Sequence, residues 1–412
     1  MLRYWIWLNT RANLGSVGIQ ALWRHFGSVE EIYLADQIDY TAVEGLNIRA
    51  LKSLCDKKLA GADEILGQCD AAHLRVLTYQ DAAYPNRLRA LDDPPHVLYY
   101  SGTLPDFDNE PVIGMVGARS ASAYGLLCAK RIAFQIASCG GIVVSGGARG
   151  IDTMSLTGAL SAGRPVIAVL GCGADVVYPR GNEGLFSDIR ACGCVLSEYQ
   201  PGTQPLPQNF PVRNRIISGL SVGVVVVEAS RRSGALITAR HALEQGRDVF
   251  AIPGNIGLDY CAGSNQLLKD GAILAESGWD VMREYEELYP QKIRRRTLGE
   301  NLSLTGEESR AASDSPHHRV ASDSPEPRAF DGKDVDNPEH KDYIDVQAVI
   351  GSLSRDEAAI VTALSEKPMY VDDLIEACQL STSSVLASLT LLEVRGLVQR
   401  LPARRFSLAE KS

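Results

Sequence analysis

The stretch VGVVVVEA (222–229) constrains this chain most: an apolar, β-branched run broken only by Gly223 and Glu228. A run of that length without polar alternation fits a strand buried on both faces, as in a parallel sheet covered by helices on either side. Apolar runs at 111–116, 141–145, 165–170, 194–198 and 248–252 repeat the theme. Helical segments are expected between them at 121–138, 151–162, 183–191 and 213–220, with another after Ser233-Gly234. Strand and helix alternating over short connections predict a doubly wound parallel α/β sheet across residues 111–290.

Ligands of open α/β sheets gather beyond the carboxyl ends of the strands, so the residues following each strand are the candidates for a site. They are Arg119 and Ser120 after the first strand, Ser145 and Gly146 after the second, and Asn182 after the third. Phe210, Arg213, Asn214 and Arg215 follow the fourth, and Ser233, Gly234 and Thr238 the fifth. A small hydroxyl-bearing turn that opens a helix presents backbone N–H groups suited to phosphate. Arginine adds a bidentate charged fork, and the rings of Tyr124, Tyr178, Tyr199 and Phe210 offer flat faces on which bases stack. Cations and aromatic rings along one rim are what an unpaired polynucleotide requires. Each residue has a plainer reading. Gly117 and Gly146 suit any tight strand-to-helix turn, Asp152 is placed to cap its helix or pair with Arg149, and Glu228 to pair with Arg213 or Arg215. Phe210 fits a core position, and Arg231 and Arg232 a solvated surface. Their joint position at one sheet edge carries the argument.

Net charge sharpens it. The chain has 412 residues and a formal net charge of -9, which argues against a wholly basic nucleic-acid coat and leaves room only for a local patch. The nine cysteines are scattered without a C-x-x-C pair, and the expectation is small buried hydrophobes in a reducing cytoplasm, with no disulfide or metal site. MLRYWIWLNT does not read as a signal peptide, and no apolar run reaches membrane-spanning length, so no membrane association is expected.

Residues 1–75 read as a helical module in which glycine turns join short helices, in the manner of helix-hairpin-helix or SAM-like domains. Residues 76–110 read as a proline-rich linker that adds an edge strand. Residues 291–345, with the repeated ASDSP, have too few apolar side chains to repay ordering and read as a disordered linker. Residues 346–412 read as three helices and an arginine-bearing ribbon, the layout of a winged helix.

Signatures of catalysis are weak. The chain has no GxxxxGK[ST], no HExxH and no clustered carboxylates, and His241 is the one histidine near the strand ends. Binding is therefore expected rather than turnover, with no cofactor and no metal. The alternative is a nucleotide-binding enzyme like the lysine-decarboxylase-like nucleoside-monophosphate phosphoribohydrolases. Those carry PGGxGTxxE where this chain has EASRRSGALITA (228–239).

The motifs in order are more specific than any alone: GARSASAYG (117–125), VSGGARGID (144–152), VYPRGN (177–182), SEYQPG (197–202), FPVRNRIISGLS (210–221), VVEASRRSGALITA (226–239) and FAIPGNI (250–256). Together they resemble the DprA family of DNA-processing proteins, also called Smf, over about residues 110–285, with flanking modules that match the family layout. The resemblance implies a Rossmann-like domain binding single-stranded DNA that enters the cell during natural transformation, a homodimer, and loading of the RecA recombinase onto the strand. It places Arg119 and Ser120 on the family's Gly-Ser-Arg loop, with Ala118 before the arginine. It places Phe210, Arg213, Asn214 and Arg215 on FPxRNR, and Ser233, Gly234 and Thr238 on SGSLxTA, with Ala235 for the second serine. Each departure removes one hydroxyl and leaves the backbone donors in place.

Overall fold

The computed structural model describes residues 1–295 and, further on, 353–365, 369–380, 397–401, 405–408 and a few positions between 384 and 395. The linker expected at 291–345 lies outside the described residues after 295, as does most of the third helix expected at 381–394.

Helices α1 (Leu2–Asn9), α2 (Gly15–Phe26), α3 (Val29–Leu34), α4 (Gln37–Thr41), α5 (Ile48–Leu54) and α6 (Ala60–Ala71) form the N-terminal module. The aromatic start of the chain is its centre, since Trp5, Ile6, Trp7 and Leu8 of α1 are all buried. Local chemistry sets the helix starts: Ser28, Asp36 and Asn47 accept backbone N–H bonds as N-caps of α3, α4 and α5. The apolar core runs on from these helices into the sheet without a break. Trp5 stacks on His96 with ring centroids 6.1 Å apart, and Ser16 Oγ donates to the Pro94 carbonyl at 2.6 Å.

The following segment lays down two strands, not one. β1 (Arg75–Thr78) is the antiparallel edge partner of β2 (Val97–Gly102), with the one-turn helix α7 (Asn86–Arg89) between them. β2 then pairs antiparallel with β6 (Cys194–Ser197). The remainder alternates as expected: β3 (Val112–Val116), α8 (Ala123–Ser138), β4 (Ile142–Ser145), α9 (Ile151–Ser161), β5 (Val166–Leu170), α10 (Glu183–Cys192), β6, α11 (Asn209–Leu220), β7 (Gly223–Val226), α12 (Ala235–Glu244) and β8 (Asp248–Ala251). α13 (Ala262–Lys269), β9 (Ile273–Leu274) and α14 (Gly278–Met282) complete it. The nine-stranded sheet has the order β1-β2-β6-β5-β4-β3-β7-β8-β9, and every pair from β6 to β9 is parallel. Strand order reverses between β3 and β7, and there the loops diverge and leave a crevice.

β7 is shorter than its apolar run. Beyond Val226 the chain turns toward the β3 loop, with Val227 N–H donating to Val116 O at 3.0 Å and Glu228 O accepting from Ala118 N at 2.8 Å. Of the cysteines, Cys55 and Cys192 are exposed, which corrects for those two the expectation of burial; Cys69, Cys139, Cys172, Cys194 and Cys261 are buried.

A second body contains α15 (Arg355–Leu364), started by a Ser354–Glu357 capping box, α16 (Val371–Cys378), and a three-stranded sheet in the order β10 (Met369–Tyr370), β12 (Arg405–Leu408), β11 (Val398–Leu401). Ile360, Leu364, Leu374, Leu389 and Phe406 form its core. No helix among the described residues is long and apolar enough to cross a membrane.

Candidate nucleic-acid interface

The crevice at the switch point is a concavity walled by the loops after β3 and β7, the first turns of α11 and the start of α12. Loop-to-loop hydrogen bonds hold it: besides Ala118 to Glu228, Ile151 N–H donates to Ala118 O at 3.2 Å. Glu228 does not pair with an arginine. Buried to 1% exposure, it accepts from Ser122 N at 2.9 Å and from the Ser122 hydroxyl, while Ser122 Oγ caps α8. The acid in the apolar run therefore fastens the β3 loop to β7.

Phe210 is the centre of the concavity. It sits half-buried in the first turn of α11, where Pro211 is tolerated because the first-turn N–H groups have no helical partner. The Arg119 guanidinium lies 4.8 Å from its ring centroid, the Arg213 guanidinium 6.0 Å, and the Tyr178 ring is tilted against it at 5.6 Å. Gly171 makes room beneath, since a Cβ there would stand 2.9 Å from the Phe210 ring. Two cations over one ring give a surface that is both charged and flat.

The two arginines differ in freedom. Arg119 and Ser120 are exposed on the lip. Arg213 is buried at 4% exposure, its Nη1 donating to the carbonyls of Gly146, at 2.8 Å, and Val169. Burial draws its pKa down from the ordinary arginine value, opposed by the charge of Asp152. Asp152 also lines the concavity, and burial pushes its carboxyl up to about 6 against the pull of Arg213 and the Ala148 N–H. At the α12 end, Ser233 Oγ accepts from Ala235 N at 3.3 Å, Gly234 is exposed, and Thr238 is buried against the concavity. Asn214 accepts from Arg213 Nε at 3.2 Å and reaches Gly234 O at 3.4 Å, joining α11 to the turn.

Arg119, Ser120, Phe210, Arg213, Asn214, Ser233, Gly234 and Thr238 thus share one concavity. Gly146 lies under it as the acceptor of Arg213. Four expected members, Gly146 included, do not line it. Ser145 Oγ is buried and donates to Met115 O at 2.6 Å. Asn182 is buried and donates to Gly147 O at 2.9 Å and Thr153 Oγ1 at 2.8 Å. Arg215 points the other way from Arg213, held by Glu198 at 2.7 Å and Asp93 at 2.8 Å. One helical residue between two arginines turns them about 200° apart, so FPxRNR cannot aim both at one ligand. Arg231, Arg232 and Arg240 are exposed and form no ion pair with a described residue.

Sequence reasoning did not assign Asp152, Pro205, Pro207 or Tyr260 to the wall. Asp152 follows β4 beyond its carboxyl end, so position alone signalled it; Tyr260, well past β8, carried no local signal. Among the described residues no cluster of His, Cys, Asp and Glu could hold a metal.

An open, mostly parallel α/β sheet with a basic, ring-floored crevice at its switch point, and a winged-helix module beyond it, defines the class of protein. Residues 75–286 match the family described as DNA recombination-mediator protein A, and residues 347–404 match the DprA winged helix domain. Protein Smf of Synechocystis sp. is 31% identical over 408 residues, 98% of each chain. DNA processing protein DprA of Streptococcus pneumoniae is 44% identical over 226 residues, 53% of this chain and 79% of that one. The X-ray structure of DprA from Streptococcus pneumoniae superposes with a TM-score of 0.62 at 35% identity, covering 69% of this chain and 98% of that one. The chain belongs to the DNA recombination-mediator protein A family.

Proposed function

We propose that this chain processes DNA by binding it single-stranded in the switch-point concavity, and that as a cytoplasmic homodimer it hands the strand to the RecA recombinase during natural transformation. The observation that carries the reading is the stack of Arg119 and Arg213 on Phe210, beside the Ser233-Gly234 turn. Charge meets the backbone, the ring meets a base, and the helix start meets a phosphate. These contacts tolerate any base, so sequence preference should be slight. The names of the relatives, DNA processing protein DprA among them, agree with a DNA ligand. The wall offers donors and rings, and its carboxylate lies beside an arginine.

An electrophoretic shift with the full chain tests the reading. Labelled single-stranded oligonucleotide should be retarded at protein concentrations that leave the matching duplex free; equal retardation of both, or of neither, contradicts it. Adding RecA and following filament assembly on coated strands tests the hand-over, which should be faster with this protein than without. Incubation with nucleoside monophosphates should release no free base.

A further inference from the structure

The floor of the concavity holds a donor and an acceptor that phosphate binding does not use. Arg213 engages Nη1 with two carbonyls and Nε with Asn214, while its Nη2 donates to no described residue. Across from it stands Asp152, whose Oδ2 accepts from Ala148 N at 3.3 Å and whose carboxyl also interacts with the Ser145 hydroxyl. A Cβ on Gly146 would lie 2.6 Å from Arg213 Nη2 and 2.7 Å from Asp152 Oδ2. The two polar atoms therefore flank one point that only glycine leaves empty. Both side chains line the concavity, and Phe210, with Arg119 above its ring, forms the neighbouring wall.

A carboxylate facing a polyanion weakens binding unless it accepts a hydrogen from the ligand. Every nucleobase carries a donor beside an acceptor on its Watson–Crick edge, such as thymine N3–H beside O4, and that edge is free only in an unpaired strand. We propose that Arg213 Nη2 and Asp152 together read the Watson–Crick edge of one unpaired base, and that this pair makes the site refuse duplex DNA. The proposal rests on the reading of the concavity as a single-strand site. Asp152 is the stronger, charge-assisted acceptor while ionised. The charged groups facing it are Arg213 on α11 and Arg119 on the β3 loop, and its carboxyl titrates at about 6. Below that pH one oxygen carries a hydrogen and the charge is lost, so the carboxyl receives thymine N3–H less strongly.

The experiment compares the full chain on fluorescein-labelled oligo-dT and on the same oligonucleotide built from N3-methylthymidine, which lacks the donor. Fluorescence anisotropy above pH 6 should show the methylated strand bound roughly tenfold more weakly. The gap should narrow below pH 6, and in Asp152→Ala it should close at both pH values. The wild-type arm needs no variant to fold. Equal affinity for the two strands overturns the edge reading and leaves single-strand binding standing; binding of neither strand overturns both.

Discussion

Arg213 and Arg215 are separated by one residue on the same helix and have opposite surroundings. Arg213 lies under the concavity, held by backbone carbonyls with one nitrogen open to it. Arg215 lies on the far side of α11, clamped between Glu198 after β6 and Asp93 in the connection from α7 to β2. The first is an arginine positioned for a ligand and the second a fastener between parts of the fold. The lesson extends to the whole rim: a cation belongs to the site only where its partners leave it an open nitrogen.

The largest effect should come from the fastener. Arg215→Ala takes from Glu198 its buried guanidinium partner and should lower unfolding stability by roughly 3 kcal/mol. Its affinity for oligo-dT should stay near wild type in the folded fraction; denaturant melts and anisotropy on one preparation separate the two effects. Phe210→Ala comes next. It removes the ring that a base would stack on, and affinity should fall by about 1–3 kcal/mol. Arg119→Ala should weaken binding about tenfold and make the slope of log affinity against log salt shallower by about 1. Because Arg119 is exposed, the melting midpoint should hardly move. If Arg119→Ala destabilised the fold while Arg215→Ala abolished binding, the contrast between fastener and ligand group would be reversed.

The smallest effect is a pH dependence. Asp152 titrates at about 6 in the folded chain, against about 3.9 for a free aspartate. The folded state therefore holds that proton more tightly. Stability from this group is present below about pH 4, is lost as pH rises through 6, and is flat above. Asp152→Asn should lack that slope, so its melting midpoint should gain on wild type between pH 4 and pH 6, read by thermal melts without DNA.

The parallel sheet was legible because buried strands on both sides of a sheet leave apolar runs that nothing else produces, and β3 to β8 each fall on such a run. β1 was not, because RVLT is short and its pairing with β2 depends on where the chain returns after α7. The site was legible as far as position past a strand end determines it, which brought in Arg119, Phe210 and Ser233. It failed where direction matters: helical phase separates Arg215 from Arg213, and burial fixes Ser145 and Asn182 to the protein's own carbonyls. Asp152 was read only as a cap or a partner of Arg149. Its place beside Arg213 depends on how closely the β4 loop approaches α11, which Gly146 permits.

Photocrosslinking tests the central claim most directly. An oligo-dT carrying 5-iodouracil is bound to the full chain, irradiated, and the attached peptide is identified by mass spectrometry. Adducts on Phe210 or Tyr178, competed away by unlabelled single strand, are the predicted result. Adducts confined to residues outside the concavity would contradict it.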